Sequence, residues 1–172
     1  IRYTDAMQLV HIGHVAFRPE SGTPYHLSLA LARYGAVRYV NPPLSLTRWL
    51  GLRMQGWVGN RASVSVLSVV APGELRFLPR RWRQKPLELW MTPFVVRALR
   101  RYPREALVLW VSNSALALRL HRVLQPRLTC YHRLDDFGAM DPALEPLERA
   151  LEGIADLIFV VSPHLIAQHQ QR

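Results

Sequence analysis

ALVLWVSNSALALRLHRVLQPRLTCYHRLDDF, residues 106–137, carries two apolar runs, each stopped abruptly by small polar or acidic residues, with a helical pattern between them. Such a run is what a strand buried on both faces of a parallel sheet requires, and it predicts strands over 107–112 and 127–132. Between them Leu116, Leu120, Val123 and Leu124 share one helical face, and Gln125-Pro126 ends the pattern. A strand, a helix and a second strand in that order predict parallel pairing through a right-handed crossover. The polar strand ends matter most, because an open α/β sheet takes its ligands at the carboxyl ends of its strands.

The same grammar extends in both directions. Further strands are predicted over 7–14, 36–40, 62–70 and 156–162, with a helix over 24–34 where Leu27, Ala30, Leu31 and Tyr34 recur at helical spacing. The expected fold is α/β, a Rossmann-like parallel sheet with helices on both faces, at least six strands and the first of them central. A chain of 172 residues reads as one domain, 1–172, large enough to bury a core without disulfides or metals. Hydrophobic content of 49% and near-zero mean hydropathy fit a globular protein. No apolar run approaches the roughly 20 residues of a spanning helix, and residues 1–5 do not resemble a signal peptide. The single cysteine, Cys130, lies inside an apolar run and is expected to be buried, in keeping with a cytoplasmic setting. Internal repeats and low-complexity tracts are absent.

The formal charge is +10, and nearly all of it is arginine, Lys85 being the one lysine. Between Arg76 and Arg104 lie Arg80, Arg81, Arg83, Lys85, Arg97, Arg100 and Arg101 against one acid, Glu88, with Trp82, Leu87, Trp90 and Phe94 interleaved. Cations mixed with tryptophan suit an anionic membrane surface. They also suit nucleic acid, or a solvated face whose tryptophans are tucked into the core. Residues 44–54 form a second such place, a short helix bearing Trp49, Leu50 and Leu52. Packing on its own sheet is the first expectation there, with a partner or a membrane as the alternative.

Four times a capping residue precedes a proline: Thr23-Pro24, Thr92-Pro93, Asp141-Pro142 and Ser162-Pro163. Each is expected to open a helix, since proline at the first helical position loses no hydrogen bond. Helix N-termini gathered along one sheet edge would make that edge receptive to anions.

Familiar chemical signatures are missing. After the first strand comes GHVAFRPESGTPYH, in which Gly13 and Gly22 do not form the G-x-G-x-x-G turn. There is no G-K-[ST] loop, no G-x-S-x-G elbow and no Cys/His cluster at metal spacing. His11 and His14, three apart on one strand, would point to opposite faces. What remains is a site built from strand-end loops: His14, Ser21, Gly22, Thr23 and His26 after the first strand, Asn113 and Ser114 after the fourth, Asp135 and Asp136 after the fifth, and Ser162 after the sixth. Adjacent carboxylates raise one another's pKa, which suits a general base acting on a hydroxyl. The other reading of Asp135-Asp136 is a turn cap beside a solvated neighbour. His26, inside a helix, fits a structural role as well as a functional one, and His14 at a strand end is the better candidate.

These segments carry a resemblance. PYHLSLALARYG (24–35), VRYVNPP (37–43), LWVSNS (109–114), CYHRLDDF (130–137) and ADLIFVVSPHL (155–165) are similar, in order and over nearly the whole chain, to the N-terminal half of bacterial two-domain glycosyltransferases of the GT-B fold. The likeness is to the family 4-like group related to teichuronic-acid transferases. Two positions depart from it: the residue before the helical proline, an arginine in that group, is Thr23, and the loop 18–23 has an added Ser21-Gly22. The resemblance implies an acceptor-binding domain, with the nucleotide-sugar bound by a second Rossmann-like half whose acidic signature is not in this chain. It implies Asp136 or Asp135 as the catalytic group, and His14, Ser21, Gly22, Thr23, His26, Asn113 and Ser162 around the acceptor. No metal or cofactor is expected beyond the nucleotide-sugar as co-substrate. A sugar or lipid-linked sugar would be the acceptor, and the inner face of the membrane the location. Nucleic acid is not the expected partner. The principal rival is a non-enzymatic, flavodoxin-like module that uses its basic surface to bind anionic lipid or nucleic acid; a methyltransferase-type enzyme would need the glycine-rich turn that is missing.

Overall fold

The computed structural model describes residues 7–56, 59–61, 64–70, 80–112, 114–135 and 140–170, with the backbone alone described for 59–61, 80–89, 164 and 168–170. Seven strands form one sheet: β1 (Gln8–Ile12), β2 (Ala36–Val40), β3 (Gly59–Arg61), β4 (Val64–Leu67), β5 (Leu107–Val111), β6 (Leu128–Arg133) and β7 (Leu157–Val160). Their order is β3-β4-β2-β1-β5-β6-β7. All pairs are parallel except β3 with β4. The six parallel strands, counted along the chain, therefore stand in the order 3-2-1-4-5-6 of a doubly wound, Rossmann-like sheet. Every predicted strand is present and the first is central. A flavodoxin-like order would leave one strand on the far side of β1, and here β2 and β4 both lie there.

Among the described residues six α-helices accompany the sheet: α1 (Thr23–Leu31), α2 (Leu46–Met54), α3 (Arg80–Leu99), α4 (Ala115–Leu124), α5 (Glu145–Ile154) and α6 (Pro163–Gln170). Alternation along each strand divides the core in two. Val10, Ile12, Leu107, Leu109, Val111 and Tyr131 meet α3, α4 and α5 through Met91, Val95, Leu99, Leu116, Leu120 and Leu151. Leu9, Val37, Tyr39, Val108, Trp110 and Cys130 meet α1 and the loop before it through Phe17, Tyr25 and Leu27. Strands flanked on both faces must be apolar throughout, and β5 is buried at every position. Leu157, Phe159 and Val161, on and just beyond edge strand β7, remain exposed.

Two of the four expected caps are present. Asp141 accepts from Ala143 N–H at 3.0 Å, opening the short 3₁₀ turn that leads into α5, and Ser162 accepts from Leu165 N–H at 3.3 Å at the start of α6. Thr23 is not a cap; Gly22 holds that place, and Thr23 is the first residue of α1. Thr92-Pro93 lies inside α3 instead of opening a helix. Met91, Val95, Val96 and Leu99, all buried, anchor the helix across the proline, so tertiary packing overrides the local stop signal.

Candidate functional site

The chain leaves β1 toward α1 on one face of the sheet and leaves β5 toward α4 on the other. The carboxyl ends of β1 and β5, which are neighbours, therefore border the crevice where doubly wound folds bind ligands. A pocket of about 310 Å³ opens at the β1 end, lined by His14, Val15, Ala16, Arg18, Glu20, Ser21, Pro42 and Arg48. A larger and more open depression of about 480 Å³, lined by Arg104, Glu105, Gln125 and Arg127, lies at the opposite sheet edge, where strands begin. The smaller pocket is the better candidate, because it sits at the switch point and is framed by strand-end loops.

The loop that forms it is held on every side. Gly13 N–H bonds Val40 C=O at 3.1 Å. The Tyr39 hydroxyl donates to Val15 C=O at 2.8 Å. Phe17 N–H donates to Asn41 Oδ1 at 2.7 Å, while Asn41 Nδ2 donates to Ser68 Oγ at 2.7 Å. The Ser21 hydroxyl donates to Ala16 C=O. Gly13 is required by this arrangement: a Cβ there would lie 1.8 Å from the Tyr39 oxygen. Gly22 adopts φ +64°, which a side chain would strain. These glycines serve close approach and a turn, so the missing phosphate-binding pattern does not leave them idle. Tyr39 and Asn41, in the VRYVNPP segment, hold the pocket loop in shape.

Three histidines gather nearby. His11 is fully buried, with Nδ1 2.7 Å from Ser28 Oγ and Nε2 3.4 Å from Ser112 Oγ. Ser28 spends its proton on Pro24 C=O at 2.8 Å, so His11 Nδ1 must be the donor and Nε2 the acceptor. Burial, reinforced by His132 and His14, pushes His11 down to about 3. Burial also lowers His14, and burial followed by the nearness of His14 lowers His132. All three are thus held neutral near pH 7. β1 ends at Ile12, before His14, so strand alternation does not separate His14 from His11, and both bear on His132. Among the described residues, neither the buried His132 Nδ1 nor the buried Trp110 Nε1 finds a hydrogen-bond partner; their rings are 5.9 Å apart.

Of the expected site residues, His14 and Ser21 meet in the pocket. Gly22 and Thr23 follow as exposed residues at the start of α1, and His26 is exposed one turn on, its ring edge-to-face with Tyr25 at 5.2 Å. Asp135 is exposed just past β6, two strands from β1 and so about 10 Å away across the sheet. Ser162 follows β7, a strand further, and its hydroxyl is occupied as the α6 cap. Asn113 and Asp136 lie outside the described residues. Unforeseen are the pocket cations Arg18 and Arg48, which come from different segments. Unforeseen too is Arg133 at the end of β6, fully buried and 3.6 Å from the carboxylates of both Glu148 and Glu152 on α5. Among the described residues no group of three His, Cys, Asp or Glu side chains is arranged to hold a metal. Cys130 is buried and its thiol pushed up to about 11, by burial first and then by Asp156.

No protein-family model matches the chain, and no curated protein matches it.

Proposed function

We propose that this chain is the acceptor-binding domain of a glycosyltransferase that uses a nucleotide-sugar in cell-surface or exopolysaccharide synthesis. The observation that carries the reading is the pocket at the carboxyl end of the central strand, where His14 and Ser21 meet, within a 3-2-1-4-5-6 sheet. The sequence resemblance nominates the same two residues. Among the described residues lining the pocket, Arg18 and Arg48 stand against Glu20, which lies 4.0 Å from Arg18; the net positive charge suits an acceptor carrying phosphate. In the reaction the acceptor hydroxyl attacks the anomeric carbon, the bond from that carbon to the diphosphate breaks, and the hydroxyl proton passes to Asp136 or Asp135 if the enzyme inverts. If it retains, the same carboxylates hold the acceptor. The nucleotide-sugar is a co-substrate held by a donor-binding domain, and no metal or other cofactor is assigned to this chain.

Among the described residues no helix is long and apolar enough to cross a membrane. A peripheral position at the cytoplasmic membrane face is part of the proposal, through the stretch between Arg76 and Arg104. There Trp90 and Phe94 on α3 are 37% and 50% exposed with rings 5.0 Å apart, and Arg97, Arg100, Arg101 and Arg104 beside them are exposed.

Two measurements test the reading. Calorimetric titration of the chain with uridine and guanosine diphosphate sugars should give no binding heat; micromolar affinity would make this the donor domain and end the acceptor assignment. In an assay that includes the donor-binding domain, Asp136→Asn should cut turnover roughly 10²-fold or more, since it keeps volume but removes the basic oxygen. Asp135→Asn should act more weakly, or take over the large effect. Turnover within a few-fold of wild type in both variants would make the pair structural.

A further inference from the structure

The helix α2 (Leu46–Met54) borders the pocket through Arg48 and leaves an apolar stripe exposed. Leu52 is its buried residue, packed with Ala16 and Leu44. Leu46, Leu50 and Met54, at i, i+4 and i+8, make one stripe and are 56%, 45% and 88% exposed. A helix covering its own sheet would turn those residues inward. Arg53 flanks the stripe, its guanidinium 5.1 Å from the Trp49 ring centre, while Arg48, on the opposite side of the helix, lines the pocket. From Ser21 to Gly73 the sequence holds five arginines and not one acid.

We infer that α2 is a membrane-docking helix whose exposed Leu46–Leu50–Met54 stripe enters an anionic lipid surface and brings the mouth of the His14 pocket to that surface. Apolar side chains backed by arginine are what an interfacial helix needs, the first to enter the acyl boundary and the second to meet lipid phosphates. Other occupants fit less well. Nucleic acid would use the arginines and leave the leucine stripe in water. A second copy placed stripe to stripe would bring Arg53 beside its own counterpart, with no acid on α2 to offset the charge. With Arg48 across a helix about 10 Å thick, docking sets the pocket within reach of a headgroup. An acceptor anchored in the bilayer would enter the pocket from the lipid side. The docking claim goes beyond the transferase reading and stands without it. It also differs from attachment through α3.

The test is co-sedimentation of the whole chain with vesicles of phosphatidylcholine alone and of phosphatidylcholine with 30% phosphatidylglycerol. Binding is expected only to the anionic vesicles, weakened by 0.5 M salt, and at least ten-fold weaker in Leu50→Glu and in Leu46→Glu. Both positions are exposed, so thermal melting should match wild type and separate lost docking from lost folding. Loss of binding in Trp90→Ala with Phe94→Ala, while Leu50→Glu binds as wild type, would overturn α2 as the docking element and leave attachment to α3. Absence of any binding to anionic vesicles overturns it as well. So does a dimer in sedimentation velocity that Leu50→Glu dissociates without changing vesicle binding. The nucleotide-sugar titration, which needs no membrane, judges the transferase reading separately.

Discussion

Arg133→Met should lower stability by about 3–5 kcal/mol, the cost of removing one member of a buried ion pair. The guanidinium is fully buried, as is Glu148, and Glu152 is nearly so. Without Arg133, Glu148 and Glu152, one helical turn apart on α5, would lose the cation that lies 3.6 Å from each. In a chain of this size the loss corresponds to a melting temperature lower by the order of 10 °C. Glu148→Leu added to Arg133→Met should restore at least half of the deficit, because a buried ion pair replaced on both sides by apolar groups often costs little. A thermal melt of Arg133→Met within a couple of degrees of wild type would show that the pair stabilises nothing. The arrangement bears on the site as well. Arg133 ends β6 two residues before Asp135, so its attachment to α5 fixes the strand end that leads to Asp135.

That triad illustrates what was and was not legible in the sequence. Strand positions could be read because strands covered on both faces must be continuously apolar. LVLWV stands out for that reason, LIFV is equally apolar although edge strand β7 leaves Leu157 and Phe159 exposed, and the alternation of strands and helices led to the expectation of β1 at the centre. β3, Gly-Asn-Arg, has no such pattern; it is a strand because β4 offers it an edge. Glu148 and Glu152, spaced i, i+4 on a helix, look like a solvated face. Only the packing of α5 over the end of β6 turns them inward. Thr92-Pro93 reads as a helix start because the signal is local, whereas the apolar residues that carry α3 through it are not. In the site, His14 and Ser21 were readable from one loop. Arg48 joins them from α2, after β2, a meeting the tertiary fold arranges and no spacing encodes. The exposed stripe of α2 was ambiguous for a similar reason: the pattern gives an amphipathic helix, and the fold decides which side faces out.

Below pH 6.5 the protein should lose stability steeply, and His11 should account for most of the loss between pH 6.5 and 4.5. In the unfolded chain this imidazole takes up a proton near pH 6.5. In the native state burial and the neighbouring His132 and His14 hold it to about 3. The unfolded state therefore binds more protons throughout that window. Stability is complete above the unfolded pKa and falls as pH drops toward the native one. By pH 4.5 the His11 contribution alone comes to about 3 kcal/mol, and His14 and His132, shifted in the same direction, add to it. The hydrogen bonds agree with this sign. Nδ1–H already donates to Ser28, and Nε2 is the acceptor for Ser112, so a second ring proton would face a hydroxyl already directed at it. His11→Gln keeps a donor and an acceptor but cannot titrate. Its stability at neutral pH will differ from wild type by an amount the packing sets, so the informative quantity is the slope. Urea unfolding at pH 7.5, 6.5, 5.5 and 4.5 should give a wild-type curve that falls with acid and a His11→Gln curve that is markedly flatter. Parallel curves would assign the acid sensitivity to other groups and remove His11 from the account.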